Sequence, residues 1–306
     1  MACACLLGYG EDMSLVLDFP HALGSGLIMS SERDLSSARS DCAALISDFD
    51  HALSRFRSDS LLSSLTGSAR RVEFPLFCAP LFDLYDLMFA ATSGRFTPTI
   101  ADSLLRMGYG HVYGWLGDEP VVWGRDVWRN DGEPNVLYTS RPVHLDFGAA
   151  GKSYLVDLLR MLIGDDCMIN AAGDIFMSGD GTVALENPWN VEQAVGIVRV
   201  PANAAVCASS PARRHWTALN TAQEVHHIVD ATTSENPHDV AATWTLVRSE
   251  DTQFPTAWAD ALSTALFFCD PNSLLLPSIP RFEFARLLST KNAQQSHNWP
   301  GEFFVK

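Results

Sequence analysis

From Asn135 onward the chain is broken into short apolar runs, most of them closed by small or turn-forming residues, and this pattern limits the fold more than any other feature. Strands are predicted at Val136–Thr139, His144–Phe147, Cys167–Ala171, Ala194–Val200, Ala205–Ala208, His226–Val229, Thr243–Val247 and Arg281–Leu287. A helix at Lys152–Ile163, with Tyr154, Leu155, Leu158, Leu159 and Leu162 on one face, interrupts them, and another is predicted at Ala257–Cys269. Earlier in the chain, residues 36–56 and Pro80–Ser93 carry apolar side chains at helical spacing. Residues 109–140 mix Gly, Trp, Asp and Pro without a period and read as an irregular, strand-containing insertion; the tail from Asp270 opens as a helix or turn. The expectation is a mixed α/β, α+β fold with mixed or antiparallel sheets and flanking helices. No repeat or long linker divides it, so residues 1–306 are expected to form a single domain, with 1–20 as a variable extension and 271–306 as a tail packed on the body.

Charge narrows the partners. A formal net charge of −15 argues against nucleic acid and anionic membranes, which need clustered Lys and Arg. An anionic ligand would need local help, from a metal ion or a helix N-terminus. Seven cysteines, scattered and without a CxxC pair, favour reduced thiols in a cytoplasm. The first residues lack the basic and long apolar regions of a secretory signal, and no run of about twenty apolar residues predicts a membrane span. A cytoplasmic, soluble protein is expected.

Four stretches carry candidate chemistry. HLDFGAAGKSYLVD, residues 144–157, reads as strand, tight turn and helix start. Small residues there let the main chain approach a ligand, and Lys152, one of only three lysines, sits at a helix end whose dipole repels a cation unless an anion docks there. Taken alone, a packed turn with a surface lysine is the better explanation. NAAGDI, residues 170–175, ends an apolar strand in small residues and an acid, as a ligand-facing turn or a plain hairpin would. VHHIVDATTS, residues 225–234, places His227 where it can accept a proton near neutrality, although most histidines are structural. In WADALSTALFF, residues 258–268, Asp260 and Thr264 are four apart on a helix, opposite an apolar stripe. A carboxylate and a hydroxyl completed by backbone carbonyls suit Mg²⁺; a solvated helix face would more often carry Lys and Glu.

In order along the chain, LGS at 23–25, SRFRSDS at 54–60, FTPT at 96–99, DFGAAGKSYLVD at 146–157, AGDI at 172–175, HIVDATTS at 227–234 and DALSTA at 260–265 resemble the motifs of the FAD:protein FMN transferases, the ApbE-like flavin transferase family. The resemblance covers roughly residues 20–270 and implies a two-lobed, T-fold-like architecture. It also implies an enzyme that binds FAD and Mg²⁺, cleaves the pyrophosphate and transfers FMN to a Thr or Ser hydroxyl of an acceptor flavoprotein, releasing AMP. Carried over by position, Asp260, Thr264 and the Ala149 carbonyl would hold the metal. Leu23, Phe56, Thr97, Pro98, Thr99, Asp146, Lys152, Gly173, Asp174 and Val229 would border FAD, and His227 would activate the acceptor hydroxyl.

Departures cluster at the same motifs. Thr97 stands in place of an acid, Leu23 of a methionine, Ser153 of a glycine, and Ser263 of a second acid found in some members. Alternatives carried with the resemblance are an FAD pyrophosphatase, with water as acceptor, and a non-catalytic flavin-binding protein.

Overall fold

The computed structural model describes residues 15–67, 70–110, 116–117, 119–218 and 222–304. Its helices are α1 (Arg39–Leu53), α2 (Ala79–Ala91), α3 (Ala101–Arg106), α4 (Gly151–Ile163) and α5 (Pro255–Ala265). Its strands are β1 (Leu15–Phe19), β2 (Leu27–Ser31), β3 (Arg71–Glu73), β4 (Val127–Trp128), β5 (Val136–Thr139), β6 (Met168–Ala171), β7 (Asp174–Met177) and β8 (Gly181–Asn187). They continue with β9 (Asn190–Val200), β10 (Ala204–Ser209), β11 (His215–Thr217), β12 (Glu224–His226), β13 (Val240–Arg248), β14 (Phe282–Leu288), β15 (Ala293–Gln295) and β16 (Gly301–Phe303).

Eight strands form one sheet in the order β1-β2-β6-β7-β10-β13-β14-β15, and each neighbouring pair is antiparallel. Successive side chains of a strand point to opposite faces, and here both faces are covered. Phe176, Ala205, Cys207 and Val247 look toward the helices and join their core. Ile175, Met177, Ala204, Val206, Trp244 and Leu246 look the other way, onto a small sheet ordered β16-β9-β8. A separate sheet, β3-β5-β4, and the β11-β12 hairpin complete the fold. The α+β class with antiparallel sheets is the one expected from the sequence. Leu15–Phe19 is an edge strand, and β14 to β16 make the tail from Asp270 part of the eight-stranded sheet and of the β16-β9-β8 sheet.

Helix α5 lies between the sheet and α4, with every residue except Thr264 buried. Four alanines let it approach closely, and its backbone ends find partners in its neighbours. The Asp157 carboxylate of α4 accepts the N–H groups of Thr256 and Ala257 at 3.1 and 2.8 Å. Along β13, Thr243 donates to the Ser263 carbonyl at 2.6 Å, and Thr245 donates to that of Ala259. The face carrying Asp260 and Ser263 is therefore interior.

The helix expected at Ala257–Cys269 spans Pro255–Ala265, and the strands expected from Ala194 and Thr243 begin at Asn190 and Val240; at three further places another group takes the backbone bonds. The helix expected over 36–56 stops at Leu53, where the chain folds back and Leu61 and Leu62 donate to the His51 and Ala52 carbonyls. His144–Phe147 joins no sheet; the Asp146 N–H donates to the Pro98 carbonyl at 2.7 Å and so ties two motif loops together. The strand expected at His226–Val229 ends at His226, because Asn236 accepts from the His226 N–H and donates to the His226 and Ile228 carbonyls.

The β6-β7 hairpin turns on Ala172 and Gly173, both at positive φ, 54° and 106°. A side chain in that region costs about 1–2 kcal/mol, whereas glycine loses about 0.5–1 kcal/mol of extra entropy on folding. Ala172→Gly is expected to raise stability by about 0.5–1 kcal/mol, read as a higher denaturant midpoint at unchanged slope.

Candidate active site

A cavity of about 800 Å³ opens between the helices, the turns after β6 and β10, and the loop following α1. Its volume is that of a small-molecule site. Leu23, Phe56, Thr97, Asp146, Ala149, Lys152, Gly173, Asp174, His227, Val229, Asp260 and Thr264 all border it. Of the predicted set, Thr99 instead faces an adjoining cavity of about 780 Å³, and Pro98 is buried in the turn between the two.

The floor is a buried polar cluster. Ser153 Oγ lies 2.6 Å from Asp174 Oδ2 and 2.6 Å from Asp260 Oδ2. Lys152 Nζ binds the same Asp174 oxygen at 2.6 Å and donates to the Ala171 carbonyl at 2.7 Å. Burial alone would favour the neutral amine, yet Asp174 and Asp260 hold the ammonium above its ordinary pKa. Burial first, and the Asp174 carboxylate second, push Asp260 well above the usual carboxylate range. One hydroxyl proton cannot serve two carboxylates, so the Ser153 hydrogen bond satisfies only one of the two acids at a time. Ser153, which the sequence left unexplained, is the link between the helix-start lysine and the α5 acid.

This floor suits a hard cation. Asp260 Oδ2 is taken by Ser153, while Oδ1 makes no hydrogen bond among the described residues; Thr264 and Ala149 border the same space. Tyr85 points a buried hydroxyl without a well-aligned hydrogen bond toward the Ala149–Ala150 amides, and the Ser25 hydroxyl at the cavity is also unpartnered. No cluster of three or more His, Cys, Asp or Glu side chains occurs among the described residues, so a metal here would rely on hydroxyl, carbonyl and water oxygens beside one or two acids.

The walls supply orientation. Thr97 stands in place of an acid and still caps the turn as an acid would, its hydroxyl accepting the Thr99 N–H at 3.3 Å at the start of a short 3₁₀ segment. Asp146 accepts the Gly148 N–H at 2.6 Å and pairs with Arg55 at 2.5 Å. The Arg55 guanidinium lies 4.3 and 4.9 Å from the ring centres of Phe56 and Tyr109, and Tyr109 stacks on Trp216 at 5.0 Å. Phe56 is 55% exposed at the cavity. Tyr85 and Tyr109 carry no motif signal, because their partners lie far away in sequence; Arg55 lies inside SRFRSDS, but its pairing with Asp146 spans 91 residues.

His227 sits just beyond β12. Its Nδ1 faces the Arg214 carbonyl at 3.4 Å, and since a carbonyl can only accept, the proton resides on Nδ1 and Nε2 keeps its lone pair. Desolvation, and then Arg214, lower its pKa to about 4.

The family model described as the ApbE family matches residues 26–276. This chain belongs to the ApbE family. No curated protein matches it by sequence. Among solved structures, it is similar to the ApbE protein of Thermotoga maritima, with a TM-score of 0.73, 18% identity and coverage of 92% of this chain and 97% of that one. The flavin transferase ApbE of Vibrio cholerae aligns with a TM-score of 0.71 at 15% identity, covering 92% and 97%. The flavinyl transferase ApbE of Pseudomonas stutzeri gives 0.70 at 18%, covering 92% and 94%. At these identities the likeness establishes the ApbE fold. No helix among the described residues is long and apolar enough to cross a membrane.

Removing the shared hydroxyl takes its one proton from the buried pair, leaving Asp174 with Lys152 and Asp260 without a hydroxyl neighbour. Ser153→Ala is expected to lower stability by about 1–3 kcal/mol, measured by denaturant unfolding in EDTA.

Proposed function

We propose that this ApbE-family protein is a Mg²⁺-dependent FAD:protein FMN transferase. The observation that carries the reading is the convergence of Asp260, Thr264, Ala149 and His227 on one cavity, beside exposed aromatic and small-residue walls. Bound Mg²⁺ would stabilise charge on the pyrophosphate oxygens, and Asp260, Thr264 and the Ala149 carbonyl are the groups here to hold it. Phe56 offers its face to the isoalloxazine ring, and the Gly148–Gly151 turn lets backbone amides near the phosphates. His227 Nε2 takes the proton of the acceptor Thr or Ser hydroxyl. That oxygen bonds to the FMN-side phosphorus, the bond to the bridging oxygen breaks, and AMP leaves with it. The acceptor is a flavoprotein segment reaching the cavity mouth.

Hydrolysis of FAD to FMN and AMP is the second reading, favoured by one observation: His227 is only half-buried, so water reaches it. The five described cysteines are unpaired and buried, which supports a reducing, cytoplasmic location.

Incubation with FAD, Mg²⁺ and an acceptor protein is expected to yield AMP and covalent flavin by mass spectrometry. EDTA or Asp260→Ala should abolish both products; AMP without covalent flavin selects the hydrolase, and neither product defeats both readings. With its pKa lowered to about 4, His227 is neutral across pH 5–8. The rate that depends on it should therefore fall only as pH drops toward about 4, rather than near the ordinary histidine value. A pH profile of AMP release, lost in His227→Ala, checks this.

A further inference from the structure

Six cationic side chains border the cavity: Arg55, Arg57, Arg95, Lys152, Arg213 and Arg214. Five are committed to carboxylates. Arg55 pairs with Asp146, Arg57 with Asp50 and Asp59, Arg95 with Asp230, Lys152 with Asp174, and Arg213 grips Glu186 through two nitrogens. The guanidinium of Arg214 makes no hydrogen bond or ion pair among the described residues, although its charge is felt by Asp260, Lys152 and His227. In a chain carrying −15, an unneutralised arginine at the edge of a ligand cavity is a group waiting for an anion.

Its side chain is exposed, and its backbone is held from several directions. Arg214 ends the turn between β10 and β11, and its own N–H donates to the Pro211 carbonyl at 3.0 Å. Upstream, Ser209 is bonded to Ser263 of α5 at 2.6 Å, and the Ser210 hydroxyl accepts the Ala212 N–H. Downstream, the hairpin register pairs His215 with His226, which sets Arg214 opposite His227. The turn thus joins the α5 end of the site to the histidine end.

We propose that Arg214 is the residue that receives the anionic phosphate chain of the ligand, while its carbonyl holds the His227 tautomer. This rests on the functional reading above for the identity of the ligand, though not for its charge. Lys152, the cation expected to meet the phosphates, gives two of its three donors to Asp174 and Ala171. Arg214, with five donors in a planar fork, has all of its side-chain capacity left. In the proposed reaction it would face the pyrophosphate oxygens on which charge builds as the bridging bond breaks, as arginines do in other phosphoryl transfers.

The test is binding in EDTA, where the proposed turnover does not occur. FAD and riboflavin, which lacks phosphate, are titrated by flavin fluorescence into the full-length wild type, Arg214→Met and Arg214→Lys. Arg214→Met should weaken FAD by about tenfold to a hundredfold, the scale of hydrogen bonds to a charged group, and leave riboflavin unchanged; Arg214→Lys should fall between. Equal FAD affinity in Arg214→Met, or the same loss for riboflavin, overturns the assignment. If the wild type binds neither flavin, the flavin reading fails and inorganic pyrophosphate becomes the probe. Calorimetric binding that Arg214→Met loses then upholds the anion site, and absence of binding to the wild type defeats it.

Discussion

Two carboxylates, Asp174 and Asp260, are held in the interior within reach of one serine hydroxyl, and the rest of the site is arranged around them. An isolated buried charge is expensive, and a close pair of like charges more so. The fold answers with Lys152 from the start of α4, with Ser153 between the acids, and with the field of Arg214 from the opposite wall. The compensation is incomplete, since one hydroxyl and one ammonium face two acids. A structural ion pair would neutralise itself; this one keeps an acid oxygen directed at open space.

The large sheet makes such a cluster possible. Its strands are covered on both faces, so the turns at their ends, not the faces, are where polar groups meet a ligand. The β6-β7 turn supplies Gly173 and Asp174, the end of β10 supplies Ser209 and the Arg214 turn, and α5 presents Asp260 and Thr264 between them. Fixing α5 by the Asp157 carboxylate and by two threonines of β13 sets where Asp260 stands relative to both turns.

Parts of this were legible in the sequence. Helix α4 announces itself through Tyr154, Leu155, Leu158 and Leu159 at helical spacing, and the ordered motifs from LGS to DALSTA locate most of the cavity wall. Strand β7, DIFM, was hidden because all four residues are buried and no alternation survives. The extended His144–Phe147 has the composition of a strand, but its backbone partners are loops, and residue types do not encode that. Ser153 made no sense locally since its partners lie 21 and 107 residues away. Arg213 and Arg214 are adjacent in sequence and alike in type; only the pairing of Arg213 with Glu186 separates their roles.

The cavity draws on residues from Leu23 to Phe268, with Asp260 in a helix packed against β10, β13 and α4. During synthesis the aromatic wall, the glycine turn and the histidine emerge first, and α5 comes late. A growing chain therefore has no complete cavity floor until the large sheet has closed around α5. The site is thus among the last parts of the molecule to be finished, although most of its wall is made early.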